Sequence, residues 1–383
     1  MHFELTDEQK GIKETVRKFI ARECPREKVQ KLDERGEFPR EMLARIGEMG
    51  FCGLVIPEEY GGGGRNVVGA VIVVEELSAI YPALAGAFIG SAFCGGKNLA
   101  ELGSEGQKEK YLPGLAEGSL LFSYGLSGPK GNCSGPDAGT RARQNGSGFL
   151  LEGTKLFVRL AERSDCFLVS ARTVQNGTEQ GLSLFIVDSR SQGVRLEEME
   201  KLGNRGLRLW AVHFDRVRVP QENVLGGPEG LHQGEGQLQA VLESENLETA
   251  ACALGIAQGA YSYAAGYAKE RVQFERPIIR FEAVLHMLVD AAVDIEAGRF
   301  LTYRAGWLAE QGRRSLREAA LARAYTSEAA RKASLNCLQI LGGYGYTMEY
   351  DAQRYLRDSL VLLNGCQNAE TLKNFLGSLL ELV

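Results

Sequence analysis

Three acids fall within six residues at Glu243, Glu245 and Glu248. On their spacing alone they read as the solvated face of a helix. A carboxylate that is buried instead has a raised pKa and is suited to taking a proton from carbon near neutral pH. The other chemistry-bearing residues are dispersed. The eight cysteines (Cys24, Cys52, Cys94, Cys133, Cys166, Cys252, Cys337 and Cys366) include no C-x-x-C pair, which argues against a zinc site. They read as reduced thiols. Four histidines (His2, His213, His232 and His286) are too scattered for a His-based metal cluster. The Gly61–Gly64 run lacks the strand before it and the Lys-Ser/Thr after it that a phosphate loop needs, so it reads as a turn. No G-x-G-x-x-G follows a strand, so a Rossmann fingerprint is absent.

The elements that would position such residues come in three blocks. The chain has 383 residues, with 44 Lys plus Arg against 49 Asp plus Glu, a net charge of −5. That balance has no basic excess and excludes a nucleic-acid footprint. Residues 1–120 read as a helical domain. Thr6 with Gln9 and Ser104 with Gln107 form capping-box patterns, and Pro39 fits the first position of a helix. The uncharged run 77–96 reads as a buried helix and loop, not a membrane span. Residues 121–229 carry short β-branched and aromatic runs, among them Gly148–Val158, Cys166–Thr173, Leu182–Asp188 and Trp210–Val219. Asn176-Gly177 marks a hairpin turn. With no helical pattern between the runs, an antiparallel barrel or sandwich is expected. Residues 230–383 are helical again. Leu238–Lys269, a helix opened by Pro277, and Leu316–Ile340 stopped by Gly342-Gly343 suggest a four-helix bundle with faces buried between subunits. The expected class is α+β: a sheet domain inserted between two helical ones. The N-terminus has no apolar h-region, and a soluble, cytoplasmic protein is expected.

Five local patterns then converge. They are Gly50–Gly62 (GFCGLVIPEEYGG), Val217–Gly226 (VRVPQENVLG), Leu254–Ala260 (LGIAQGA) continuing into Tyr267–Phe274 (YAKERVQF), Gln339–Tyr346 (QILGGYGY), and Arg357-Asp358. Together, in this order and over nearly the whole chain, the sequence resembles the acyl-CoA dehydrogenase family. The resemblance implies the same three-lobe order, an FAD cofactor, and a tetramer built from dimers or a heteromer with a homologous subunit. It also implies an electron acceptor such as an electron-transfer flavoprotein. The implied reaction removes two hydrogens from an acyl thioester: a carboxylate takes the α-proton, and the β hydrogen leaves as hydride to flavin N5.

Carried over by position, the resemblance makes Glu245 the base, as in the isovaleryl- and long-chain-type members that hold it on the first bundle helix. The commoner base position, in a Glu-Gly-Thr motif, falls here on Cys366, or on Asn364-Gly365 with a gap; neither is a carboxylate. Asn246 stands where an Arg usually contacts CoA. Arg271, Gln273 and Phe274 match the pattern that reaches the FAD pyrophosphate and adenine of a neighbouring subunit. Gln339, Gly342 and Gly343 match the segment where backbone approaches the cofactor, although the glycines also suit an ordinary helix stop. On the isoalloxazine side Ser127 keeps a hydroxyl and Phe157 can stack, whereas Cys133 replaces a Ser, Glu275 a Gly, and Arg159 the Thr that faces N5. A cation in that slot must displace the ring, turn outward or leave the pocket without flavin. The resemblance thus implies an FAD-dependent dehydrogenase of an acyl-CoA or related thioester. The alternative is a catalytically degenerate subunit that pairs with an active homologue.

Overall fold

A computed structural model of the chain describes residues 4–130, 139–362 and 368–382. The first lobe holds α1 (Asp7–Glu23), α2 (Arg26–Arg35), α3 (Arg40–Glu48), α4 (Val67–Ser78), α5 (Pro82–Ile89), α6 (Asn98–Leu102) and α7 (Glu105–Ala116). Both capping boxes form, at Thr6 and at Ser104. Pro39 sits one position earlier than expected, as the N-cap of α3. Every residue of α4 and α5 is buried. The run 77–96 is buried apart from Ala79 and Ile80. Its end, Gly90–Lys97, winds as a π-helix between α5 and α6. Such widened turns are uncommon and concentrate at functional sites.

The middle lobe contains β1 (Phe122–Gly125), β2 (Thr140–Asn145), β3 (Gly148–Arg159), β4 (Cys166–Gln175), β5 (Thr178–Asp188), β6 (Val194–Met199) and β7 (Leu209–Pro220). Asn176 and Gly177 both take positive φ, 50° and 79°, and close the β4–β5 hairpin. The expectation of purely antiparallel pairing needs correction. β2–β3, β3–β7, β4–β5 and β6–β7 are antiparallel, but β1 and β2 both pair parallel to β4, one after the other along its edge. Parallel neighbours need a crossover. Here a strand, β3, carries the chain from β2 to β4, so no helical pattern announces it.

The third lobe holds α8 (Gly234–Glu270), α9 (Glu282–Glu310), α10 (Leu316–Leu341), α11 (Gly343–Tyr346), α12 (Ala352–Val361) and α13 (Ala369–Leu379). α8, α9 and α10 pack on one another, α12 packs on α8 and α10, and α4 packs against α8 and α9. Pro277 does not open α9. It pairs with Val272 in a short hairpin whose turn residues, Phe274 and Glu275, have φ of 50° and 65°. Pro277 can sit there because a terminal ladder position asks little of its missing N–H.

α8 approaches α4 through two glycines. A Cβ on Gly255 would lie 2.2 Å from the Glu75 carbonyl oxygen, and one on Gly259 would lie 2.1 Å from that of Ala79. Ionic contacts flank this backbone contact: Arg299 donates to Glu75 at 3.0 Å and Tyr303 to the same carboxylate at 2.6 Å. Gly259→Ala is expected to lower unfolding stability by ~1–3 kcal/mol through overpacking. Gly266→Ala, on the same helix with open space around its Cα, should be neutral or stabilising by up to ~1 kcal/mol. Urea denaturation of the two variants checks this; equal midpoints would refute the contact.

Candidate active site

The site begins with the pitch of α8. Leu238, Val241, Leu242, Glu245, Glu248, Thr249, Cys252 and Ile256 recur at helical spacing, and all are buried. Glu245 is 4% exposed and Glu248 1%. The solvated-face reading therefore fails: both acids share the apolar stripe that turns inward. Glu243 is half-buried and does a different job. Its two carboxylate oxygens accept from Ser315 N (3.0 Å) and Ser315 Oγ (2.9 Å), ahead of the first turn of α10.

Glu245 lines a cavity of about 90 Å³ walled by α5, the π-helical segment, β1, β3, α8 and α12. Ser127, Phe157 and Arg159 line it too. β3 is irregular between Lys155 and Val158 where it pairs with β7. Leu156 N donates to Ser127 O at 2.9 Å, and Phe157 takes φ 58°. A bulge of this kind re-aims side chains, and positive φ in a bulky residue is strained backbone of the sort that collects at functional sites. Phe157 remains 43% exposed. Ser123 Oγ donates to Arg159 O at 2.5 Å and fixes the end of the strand.

Arg159 turns inward. Its Nη2 lies 3.6 Å from Glu248 Oε1, so the outward orientation does not occur. Tyr124 Oη donates to Glu248 Oε2 at 3.4 Å and accepts from Asn98 Nδ2 at 3.1 Å. Burial pushes the Glu248 carboxyl well above the usual carboxylate range, with Arg159 opposing. On the other side Arg323 Nη1, from α10, stands 3.8 Å from Glu245 Oε2 and donates to Asn246 Oδ1 at 3.0 Å. Asn246 is fully buried. It holds the cation that faces Glu245, and a residue so placed does not meet solvent as a CoA contact would.

Arg271, Gln273, Gly342 and Gly343 come together elsewhere, in a depression of about 500 Å³ that shares no lining residue with the cavity. Arg271 is exposed, its guanidinium 5.8 Å from the Tyr344 ring centre. Phe274 is 87% exposed, and Gln339 is exposed as well. A Cβ on Gly342 or Gly343 would meet nothing within 4 Å, and Gly342 has φ 58°. These features fit a dinucleotide cofactor held in two places. A permanent cation beside open glycine backbone suits a diphosphate, and an aromatic face with a hydroxyl suits a flat ring. Cys133, Asn364, Gly365 and Cys366 lie outside the described residues. Glu248, Tyr124, Asn98 and Arg323 were missed by sequence reasoning. For Glu248 the signal was available: it sits three residues beyond Glu245 on an otherwise apolar stripe.

Family models agree with this architecture. The acyl-CoA dehydrogenase N-terminal domain matches residues 6–119, the middle domain 125–217 and the C-terminal domain 232–366. The probable acyl-CoA dehydrogenase YngJ of Bacillus subtilis (strain 168) is 35% identical over 367 residues, covering 94% of this chain and 95% of the relative. The caffeyl-CoA reductase-Etf complex subunit CarC of Acetobacterium woodii is 34% identical, covering 93% of each. Butyryl-CoA dehydrogenase from Megasphaera elsdenii superposes with a TM-score of 0.92 at 29% identity over 100% of both chains. A glutaryl-CoA dehydrogenase from Mycobacterium smegmatis in complex with FADH2 gives 0.86 at 25% identity over 98% of this chain and 95% of that one. The chain belongs to the acyl-CoA dehydrogenase family, a family of FAD-dependent oxidoreductases. Among the described residues no helix is long and apolar enough to cross a membrane.

Asp358, on α12, also lines the cavity. It accepts from Asn204 N at 2.5 Å, and burial raises its pKa from 3.8 to about 6, with Arg354 and Arg357 opposing and Asp33 reinforcing. The folded state therefore holds this proton more tightly than the unfolded chain. Stability falls as pH rises from about 4 to about 6 and stays lower above that window. Asp358→Asn should flatten this slope, shrinking the pH 4 to pH 7 change in unfolding free energy by on the order of 2 kcal/mol. Identical pH profiles for the two proteins would overturn this.

Proposed function

We propose that this chain dehydrogenates an acyl thioester, with the Glu245 carboxylate taking the proton alpha to the thioester carbonyl. The observation that carries the reading is the burial of Glu245 in a cavity it shares with Ser127 and Phe157. A base enclosed by apolar walls acts without competition from bulk water. Arg323, anchored by Asn246, gives it a fixed counter-ion. FAD, when bound, supplies the two-electron acceptor for the β hydrogen. Ser127, Phe157 and Arg159 would border its ring. Arg271, Phe274, Gln339, Gly342 and Gly343 would hold its diphosphate and adenine portion on a neighbouring protomer.

That last assignment requires an oligomer. It is supported by the separation of the two sites within one chain and by exposed apolar residues along α9: Leu285, Val289, Val293 and Trp307. A homotetramer or a heteromer with a homologous subunit satisfies it. An electron-transfer flavoprotein is the proposed acceptor, in line with the complex named for CarC. The six described cysteines are free and buried, which supports a reducing compartment such as the cytoplasm.

The purified protein should be yellow, absorbing near ~450 nm, and should bleach anaerobically with an acyl-CoA. Glu245→Gln should slow bleaching by at least ~10²-fold while retaining flavin. Undiminished bleaching in that variant would remove Glu245 as base. A colourless protein that refuses added FAD would favour the degenerate-subunit alternative. Val293→Lys should lower the oligomeric mass in light scattering and lower flavin content with it; a smaller assembly that keeps its full flavin would break the cross-protomer assignment.

A further inference from the structure

The cavity holds a second charge pair that proton abstraction does not use. The separation of Arg159 Nη2 and Glu248 Oε1, 3.6 Å, is an ion-pair distance but too long for a hydrogen bond. Among the described residues the Arg159 guanidinium makes no hydrogen bond; only its main-chain oxygen is engaged, by Ser123. Glu248 Oε1 is likewise buried with no hydrogen-bond partner. Buried polar groups are normally satisfied. Here a Glu248 oxygen is not, and beside it a fork of five donors, about a third exposed, stands open on the cavity wall.

Apart from the acids Glu245 and Asp358, the rest of that wall is mainly apolar, with Leu126, Leu156, Leu160 and Ile256. A plain alkyl chain would gain nothing from a guanidinium and would have to bury it without a partner, which is costly. A carboxylate would gain the most, because the planar fork matches its two oxygens. We infer that Arg159 reads an anionic group on the acyl portion of the substrate, and that the substrate class is a short acyl thioester ending in a carboxylate. The inference rests on the reading of this cavity as the acyl site. Arg159 lines the same cavity as Glu245, so a carboxylate it reads lies a short chain away from the carbon that Glu245 deprotonates. Glu248 is then the internal partner of the guanidinium: it faces Arg159 at 3.6 Å when no substrate is present and yields it to the incoming carboxylate.

The test compares chains of equal length with and without the terminal charge. Binding of succinyl-CoA and glutaryl-CoA is measured by calorimetry on the full-length protein, against butyryl-CoA and valeryl-CoA. The carboxylate-bearing thioesters should bind at least tenfold tighter. Arg159→Thr should abolish that ratio, and Arg159→Lys should keep part of it. Glu248→Gln, which removes the competing internal carboxylate, should raise it. Because the readout is a ratio within each variant, a general loss of folded protein divides out. Equal affinities for the two classes, or a ratio untouched by Arg159→Thr, would overturn the inference while Glu245-dependent bleaching by the plain acyl-CoAs left the dehydrogenase reading intact. Failure of every thioester to bind would overturn both.

Discussion

Two carboxylates on one buried face of α8 set the terms for everything around them. Taking Glu245 and Glu248 out of water is costly unless each meets an opposite charge. The opposing charges come from different parts of the chain: Arg323 from α10 and Arg159 from the end of β3. The β lobe must therefore close against the bundle at one particular point, and the bulge at Leu156–Phe157 and the Ser123 hydroxyl bring the end of β3 to it. Asn246, next in sequence to Glu245, does its part from the opposite side by holding Arg323. The cavity is the space left between Glu245, Arg159 and the aliphatic side chains around them.

The depression beside Arg271 sits apart from the cavity beside Glu245. The hairpin after α8 carries Arg271 and Phe274 outward, and its turn forces positive φ on two residues that have side chains. Such a turn is strained for Glu275, whose Cβ the left-handed region disfavours. A protruding, strained hairpin is hard to account for within an isolated chain and makes sense as a contact surface, continuous with the exposed apolar residues of α9.

Much of this architecture was legible in the sequence. Apolar periodicity gave the long helices, the Asn-Gly pair gave the hairpin, and the two capping boxes gave helix starts to the residue. What was not legible came from non-local choices. The parallel edge of β4 depends on where β1 and β2 land, which no local pattern encodes. Pro277 has a φ that suits a helix start as well as a strand end, so its position alone could not decide between them. Glu245 was singled out by family position and Arg159 as a departure, but the partner of Arg159 was not legible. Glu248 lies 89 residues further along the chain and was taken for part of a wet surface because acids usually are. Arg323, among the largest fully buried side chains, lies in an alanine-rich helix with Arg317 and Arg331, where an arginine looks like a solubilising charge.

The glycine contact between α8 and α4 carries a mechanical consequence. Two helices whose backbones touch at Gly255 and Gly259 cannot slide or roll past each other without colliding, so they act as a single stiff beam. The carboxylates ride on that beam and keep their places. Any breathing that admits a ligand is thereby thrown onto the opposite wall, where β1 and the bulged end of β3 meet α8 through a 3.4 Å hydrogen bond from Tyr124 and one loose ion pair.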